Sequence, residues 1–263
     1  MSSSIKLNLI VSSLVSSAPP GELNDVGKDI STILSSETST IGRSLEEFVN
    51  EHGAIFSHKY IASKYNKDPN STKYIDYIGK KLFNIDISKQ LAIDVEDYEP
   101  LVTYPLYFND LVNLMESYGE DHYPSSYAFT IIPGDCEVKI VIIGQKLNQQ
   151  NYYTGEWMSV YTVKDGSLEG SITLNIHYFE EGNVRMKFKD DVKESLSELN
   201  ASSILNLINA TENKLTLSIV KNFNELNQKS FKNLRRLLPV TRSKINWGKA
   251  IGNYRLGSDV VNQ

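Results

Sequence analysis

The sequence predicts an α+β protein in which an N-terminal antiparallel helical bundle precedes a five-stranded antiparallel meander. A long C-terminal helix would cross the sheet, and a short amphipathic basic helix would follow it. Three observations predict this order. Apolar residues recur at spacings of three and four up to about residue 65, they alternate with period two from Ser126 to Lys189, and residues 183–238 contain neither glycine nor proline.

A hydrophobic content of 40% over 263 residues is enough for a real core. We treat the chain as one unit with five segments. These are a helical stalk (1–65), an irregular and helical globule (66–124), an antiparallel sheet (125–189), a long helix (190–238) and a basic C-terminal arm (239–263).

The stalk is predicted to contain three short helices. The first ends at Pro19, and the second carries its apolar residues at helical spacing from Leu23. Ser44 and Glu47 fit a capping box that would open the third helix. Because the connections are short, neighbouring helices should run antiparallel.

The globule gives a weaker pattern. From Asp68 to Tyr123 the spacing of apolar residues is irregular and includes an acidic stretch at 94–99. Only one element stands out, a helix containing Phe108 and Met115 that would end at a turn around Gly119.

The sheet segment ends in the clearest hairpin of the sequence. Ile172, Leu174, Ile176 and Tyr178 alternate along one strand, and the alternation resumes at Val184 after a turn over residues 180–183. Consecutive strands joined by short turns predict a meander rather than a parallel sheet.

The long helix is predicted to run from about 191 to 237, with Asp190 or Asp191 as its N-cap and Pro239 ending it. Such a helix would be roughly 70 Å long, whereas a domain of this size is about 40 Å wide or less. It would therefore need a sheet wider than one chain can build. We expect a partner subunit that extends the sheet through an open edge.

The charge is strongly polarised along the chain. Residues 229–263 carry +7 and residues 1–228 carry −12, within a net charge of −5. An acidic body with a basic arm indicates an acidic partner for the arm, although charge runs are often only solvated helix faces. An anionic membrane is a second target. Nucleic acid is disfavoured because the pI is near 5.5 and no nucleic-acid-binding signature occurs.

Catalytic and metal-binding patterns are missing. The four histidines form no metal motif, and no phosphate loop or nucleophile elbow occurs. We therefore predict no enzyme and no cofactor. Cys136 should be a buried or half-buried thiol, His177 a solvent-facing or interface histidine, and Trp157 a packing residue. The single cysteine and the lack of a signal-like or membrane-spanning segment predict a cytoplasmic protein.

Three blocks of sequence resemble one known family. The segment from Leu234 to Trp247 reads LRRLLPVTRSKINW, close to the LRRxLPVTRxKIxW signature of alpha subunits of the heterodimeric actin-capping protein. The block GEWMS at 155–159 and the hairpin HYFEEGNV at 177–184 are similar to further motifs of that family. The opening from Ala18 to Val26 also resembles the family, so we extend the resemblance over the whole chain.

The resemblance implies an obligate heterodimer with a beta subunit. The two chains would together build a ten-stranded antiparallel sheet, to which each chain contributes five strands. It implies calcium-independent capping of actin filament barbed ends, which blocks addition and loss of subunits. Anionic phosphoinositides and capping-protein regulators are further expected partners, and the actin cytoskeleton and cell cortex are the expected locations. The alternative is a basic-tailed adaptor subunit that binds anionic lipid or another acidic partner.

The resemblance also places actin contacts in the C-terminal region. The positions that match the family's basic contacts are Lys232, Arg236 and Arg242, with Arg235 and Lys244 nearby. Apolar positions on the same segment would slow dissociation. The candidate actin-binding residues are Lys232, Arg235, Arg236, Arg242, Lys244, Trp247, Lys249 and Ile251.

Overall fold

The computed structural model describes residues 3–123, 125–180 and 183–225. The chain starts with three helices: α1 (Ser3–Ser16), α2 (Leu23–Ile33) and α3 (Thr38–His52). Val11, Val15, Ile30 and Ile41 are buried together between them. The helical start of the chain and the first break before Pro19 are confirmed.

The capping box predicted at Ser44 is wrong. Helix α3 begins at Thr38, so Ser44 lies inside it and is buried. The earlier start is explained by Ile41, which is buried in the bundle core. A helix that includes Ile41 must also include Gly42, where a Cβ would lie in open space. Burial of Ile41 outweighs the cost of about 1 kcal/mol for a glycine in a helix.

Strands follow α3 where the sequence predicted helical or irregular chain. A hairpin forms from β1 (Ala54–Phe56) and β2 (Tyr60–Ala62), and a small antiparallel sheet forms from β3 (Tyr74–Asp76), β4 (Lys81–Asp86) and β5 (Leu91–Asp97). These strands surround a core that contains Phe56, Tyr74 and Phe83. The description of 66–124 as irregular and helical is therefore wrong over residues 74–97.

The acidic stretch at 94–99 is explained by this small sheet. Lys73 Nζ lies 2.7 Å from Glu96 Oε1, Lys80 Nζ lies 2.6 Å from Glu99 Oε1, and Lys81 pairs with Asp97. Opposite charges on neighbouring strands stabilise a sheet modestly. Glu96, Asp97 and Glu99 are thus partners of lysines on or next to the neighbouring strands.

Helix α4 (Phe108–His122) continues through Gly119, so the turn predicted there is wrong. A Cβ on Gly119 would lie 1.9 Å from Cε1 of Tyr127. The glycine leaves room for this ring, whose hydroxyl donates to the carbonyl of Met115 at 3.0 Å. The residue serves close packing, not chain reversal.

The central sheet is the predicted five-strand antiparallel meander. It contains β6 (Ser126–Pro133), β7 (Glu137–Asn148), β8 (Tyr153–Lys164), β9 (Ser167–Tyr178) and β10 (Val184–Ser195), in the spatial order β10-β9-β8-β7-β6. Helix α4 and helix α5 (Ala201–Glu225) cover one face, called the α5 face. The β1–β2 hairpin and the N-terminal helices cover the other, called the bundle face.

The predicted start of the long helix near residue 191 is wrong. Strand β10 stays paired with β9 as far as Ser195, and α5 begins at Ala201. Asn200 supplies the cap, because its Oδ1 accepts from the Ser203 amide at 2.8 Å. The predicted helix would have contained Val192, Leu196 and Leu199, and all three precede the observed helix.

The end of this helix and the C-terminal arm lie outside the described residues. The 25 described residues of α5 span about 38 Å. This is within the width of the domain, so the length argument for a partner depends on chain beyond Glu225. Within the described residues, the observation that supports a partner subunit is the open edge of the central sheet.

Candidate functional site

The eight predicted actin-binding residues, from Lys232 to Ile251, lie outside the described residues. The structure describes what precedes them: α5 ends its described part at Glu225, and the basic segment starts at Lys229. The site that can be described therefore has two parts. One is the helix α5, which precedes the basic segment, with its contacts to the sheet. The other is the surface of the sheet and the bundle that no described residue covers.

A buried polar cluster fixes α5 to the sheet. Glu212 is 5% exposed, and its carboxylate accepts four hydrogen bonds from hydroxyl groups of α4, β8 and the residue after α4. The donors and distances are Tyr118 at 2.7 Å, Tyr123 at 2.6 Å, Ser159 at 2.7 Å and Tyr161 at 2.9 Å. Trp157 Nε1 in turn donates to Ser159 Oγ at 2.7 Å.

The chemistry of this cluster is that of an anchor. Burial and the Glu212 charge raise the pKa of the Tyr118 hydroxyl, and the same causes raise that of Tyr123. Both hydroxyls therefore stay protonated and remain donors at physiological pH. Among the described residues no cation pairs with Glu212, and its burial is tolerated because the four hydroxyl donors replace its hydration. The cluster sets where α5, and the chain after it, sits on the sheet.

Sequence reasoning missed Glu212, although a signal existed. Buried apolar residues of α5 include Ile204, Ile208, Leu215 and Ile219, and Glu212 falls at helical spacing among them. A carboxylate inside an apolar stripe predicts a buried polar partner set. By contrast, the packing role predicted for Trp157 is confirmed, since it is 1% exposed in the core.

Strand β10 is an open edge of the central sheet. It pairs with β9 over its whole length, and on its other side no described strand pairs with it. The opposite edge, β6, contacts both α4 and β2. Unpaired backbone donors and acceptors along twelve residues of β10 form a template for another strand.

An uncovered apolar face of α1 lies beside this edge. Leu9 is 65% exposed, Ile10 56% and Leu14 47%, while Val11 and Val15 face the bundle core. The Arg185 guanidinium of β10 donates to the Ser17 carbonyl at 2.5 Å, which joins the end of α1 to the edge strand. The C-terminal end of α1, which carries the exposed apolar residues on its preceding turns, therefore lies next to the open edge.

A cavity of about 320 Å³ separates the bundle from the bundle face of the sheet next to β10. Its sheet wall is a polar row that is in register across four strands: Lys187, Asn175, Glu156 and Gln145. Gln145 Nε2 donates to Glu156 Oε1 at 2.9 Å. Burial raises the pKa of Glu156 to about 6, against the opposing effect of this hydrogen bond.

Replacing Glu156 with glutamine is expected to stabilise the protein above pH 6. The folded-state pKa of about 6 exceeds the ordinary value of 4.5. Burying the charged form of Glu156 therefore lowers the free energy of unfolding above pH 6. This destabilisation disappears as the pH falls to 4.5, where the carboxyl group is protonated in the folded protein. The gain should be at most about 2 kcal/mol. Thermal unfolding at pH 8 and pH 4.5 checks this; an equal gain at both values would contradict it.

The prediction for Cys136 is wrong, and so is the solvent-facing alternative for His177. Cys136 is exposed, because it lies in the tight turn between β6 and β7. His177 is only 7% exposed and not solvent-facing. Its Nδ1 lies 3.4 Å from Glu22 Oε1 and its Nε2 lies 3.0 Å from Asn183 Oδ1, because the start of α2 packs over this strand.

Within the described residues, no three His, Cys, Asp or Glu side chains are placed to hold a metal ion. None of the described helices is long and apolar enough to cross a membrane.

Comparison with known proteins decides the family. The sequence model of the family described as F-actin capping protein alpha subunit matches residues 11–259. The chain belongs to the F-actin capping protein alpha subunit family. The match takes in the open edge, the buried cluster and the basic segment, so the resemblance seen in the sequence is confirmed.

Relatives in this family match over nearly their full length. The F-actin-capping protein subunit alpha of Debaryomyces hansenii is 63% identical over 263 residues, covering 99% of both chains. That of Candida albicans is 48% identical over 279 residues, again covering 99% of both. A solved structure, the homodimeric actin capping protein alpha subunit from Plasmodium berghei, shares the fold with a TM-score of 0.73 at 21% identity, over 91% of this chain and 99% of that one.

Proposed function

We propose that this chain is the alpha subunit of a heterodimer that binds the barbed ends of actin filaments and blocks addition and loss of actin subunits there. The observation that carries the proposal is the family match over residues 11–259, together with relatives of the same name that align from end to end. The protein acts as a cytoplasmic component of the actin cytoskeleton and the cell cortex. We expect no catalytic activity and no cofactor.

The beta subunit joins at β10 and at the apolar face of α1. Pairing with β10 satisfies its free backbone groups and extends the five strands towards ten. The same partner covers Leu9, Ile10 and Leu14, which lie next to the edge. Because the end of α1 is hydrogen-bonded to β10, one subunit covers both the edge and the apolar face.

The basic segment after Glu225 contacts actin. Its cations, including Lys232, Arg236 and Arg242, meet acidic patches on the terminal actin subunits and speed encounter, and apolar groups such as Trp247 slow release. Support for this assignment is the charge of +7 over residues 229–263. The Glu212 cluster holds the helix that leads into this segment in one position.

The experiment is filament elongation from barbed-end seeds. The purified heterodimer, added far below the actin concentration, should stop elongation at barbed ends and leave pointed-end growth unchanged. Capping should be the same with a calcium chelator as with calcium, because the proposed contacts need no metal. Elongation that continues at barbed ends would overturn the proposal.

A lipid-binding adaptor is the second candidate, favoured by the same cluster of cations in an otherwise acidic chain. Sedimentation with actin filaments and with phosphoinositide-containing vesicles separates the two functions. We expect filament binding that vesicles weaken, since both targets use the basic segment. Binding to vesicles without binding to filaments would support the adaptor. Capping-protein regulators are further partners under the first proposal.

A further inference from the structure

The open edge strand β10 carries a strongly biased charge pattern. Alternate residues point to the bundle face, and there they include four cations and one carboxylate: Arg185, Lys187, Lys189, Lys193 and Asp191. Opposite Lys187 on β9 lies the uncharged Asn175. Lys193 pairs with Glu169 at 2.7 Å, and Lys189 lies 3.7 Å from Asp191. The row remains cationic, and it borders the free backbone edge.

The simplest partner strand for β10 would be the β10 strand of a second copy of this chain. Two copies would pair about a two-fold axis perpendicular to the sheet, which keeps both α5 helices on the same side. Such an axis lies between the two strands, next to one residue of β10 that faces its own copy, and every other residue faces its two-fold counterpart on the same face. We call the residue that faces its own copy the residue on the axis and name each register by it.

Each well-paired register brings like charges together on the sequence of β10. With Asp190 on the axis, it faces its own copy and Lys187 faces Lys193. With Lys189 on the axis, it faces its own copy and Arg185 faces Lys193. Opposite charges also meet in these two registers, Lys189 with Asp191 in the first and Lys187 with Asp191 in the second, but like-charge pairs outnumber them by one.

The two neighbouring registers give no net attraction either. With Phe188 on the axis, Lys187 faces Lys189 and Arg185 faces Asp191, so repulsion and attraction balance. With Asp191 on the axis, it faces its own copy and Lys189 faces Lys193. Like charges directly opposite on paired strands are destabilising, and two-fold symmetry repeats every off-axis pair.

We propose that the charge pattern of β10 disfavours a second copy of this chain and favours a partner strand with acidic side chains on the bundle face. The inference rests on the proposed function, because it takes β10 to be the subunit interface. It adds the chemical rule by which that interface chooses its partner. Specificity here comes from repulsion in the wrong pair as much as from attraction in the right one.

The rule can be reversed with two substitutions, Lys187→Glu and Asp190→Asn. In the register with residue 190 on the axis, position 187 then faces Lys193 with opposite charge, and Lys189 already faces Asp191. Phe188 faces Val192 on the α5 face, which adds an apolar pair. The double variant should therefore pair with itself.

The test is a competition in cells that express two differently tagged copies of the full chain together with the beta subunit. The wild type should yield only pairs with the beta subunit. The double variant should yield pairs between tagged copies, at least about tenfold above the wild type, since two repulsive Lys187–Lys193 pairs become attractive and the repulsion between the two Asp190 side chains is removed. Lys164→Glu with Asp165→Asn makes the same charge change two strands away from the edge and should behave as the wild type.

Two outcomes overturn the inference, and both are distinct from failure of the proposed function. If the double variant pairs only with the beta subunit, the charge rule is wrong. If the backbone amides of β10 exchange as fast in the heterodimer as elsewhere on the exposed surface, β10 is not the interface. Capping of barbed ends by the wild-type heterodimer, measured in parallel, tests the proposed function by itself.

Discussion

Replacing Glu212 with alanine is expected to destabilise the protein by about 3–5 kcal/mol, since each buried hydroxyl that loses its acceptor costs about 1–3 kcal/mol. The substitution leaves the hydroxyls of Tyr118, Tyr123 and Tyr161 buried without their acceptor. It also opens a cavity between α5 and the sheet. Thermal and urea unfolding of the heterodimer measure the effect.

A control separates this loss from a general effect of charge removal. Glu225 is exposed on the same helix, so Glu225→Ala should change stability by less than about 0.5 kcal/mol. Glu212→Gln keeps the size and one acceptor oxygen and should lie between the two. Unfolding of Glu212→Ala at the wild-type midpoint would show that the cluster does not anchor α5.

Reversing the charges of Lys232, Arg236 and Arg242 to glutamate is expected to weaken capping by about 100-fold or more. Each reversal replaces attraction to an acidic surface with repulsion, and the loss should appear first in the association rate. The residues lie after the described part of α5, so the fold of the described sheet should be unaffected. Barbed-end elongation across a range of heterodimer concentrations gives the affinity.

The matched control reverses three exposed cations of the body, Lys28, Lys89 and Lys164. This variant has the same net charge as the first and should cap normally. Higher salt should reduce the difference between the wild type and the tail variant, because exposed charges are screened within about 10 Å at 0.1 M ionic strength. Equal capping by both variants would remove these three residues from the actin contact.

The helical bundle and the meander were predictable because each depends on a repeating local pattern. The α5 face of β9, with Leu174 and Ile176, alternates with period two, and both residues are buried as expected. The strands β3 to β5 were not predictable. Strand β3 is only three residues long, and the acidic residues near β5 are paired with lysines that only the folded chain brings close to them.

The family signature predicted the candidate actin-binding residues, and their role stays a proposal. The rest of the candidate site depended on what the fold brings together. Glu212 is 94 residues away in sequence from Tyr118, and no local pattern joins them. The boundary between β10 and α5 also escaped prediction, because the stretch without glycine or proline allows helix and strand equally.

The sequence by itself determined the class of fold, the order of bundle, meander and helix, the polarity of charge and the family, because each is a property of residues close together along the chain. Only the tertiary structure decided that β10 is an open edge, that α1 exposes its apolar face beside it, and that Glu212 anchors α5 through four hydroxyls. The physical reason is that an edge, an uncovered face and a buried partner are defined by which distant segments do or do not lie opposite them after folding.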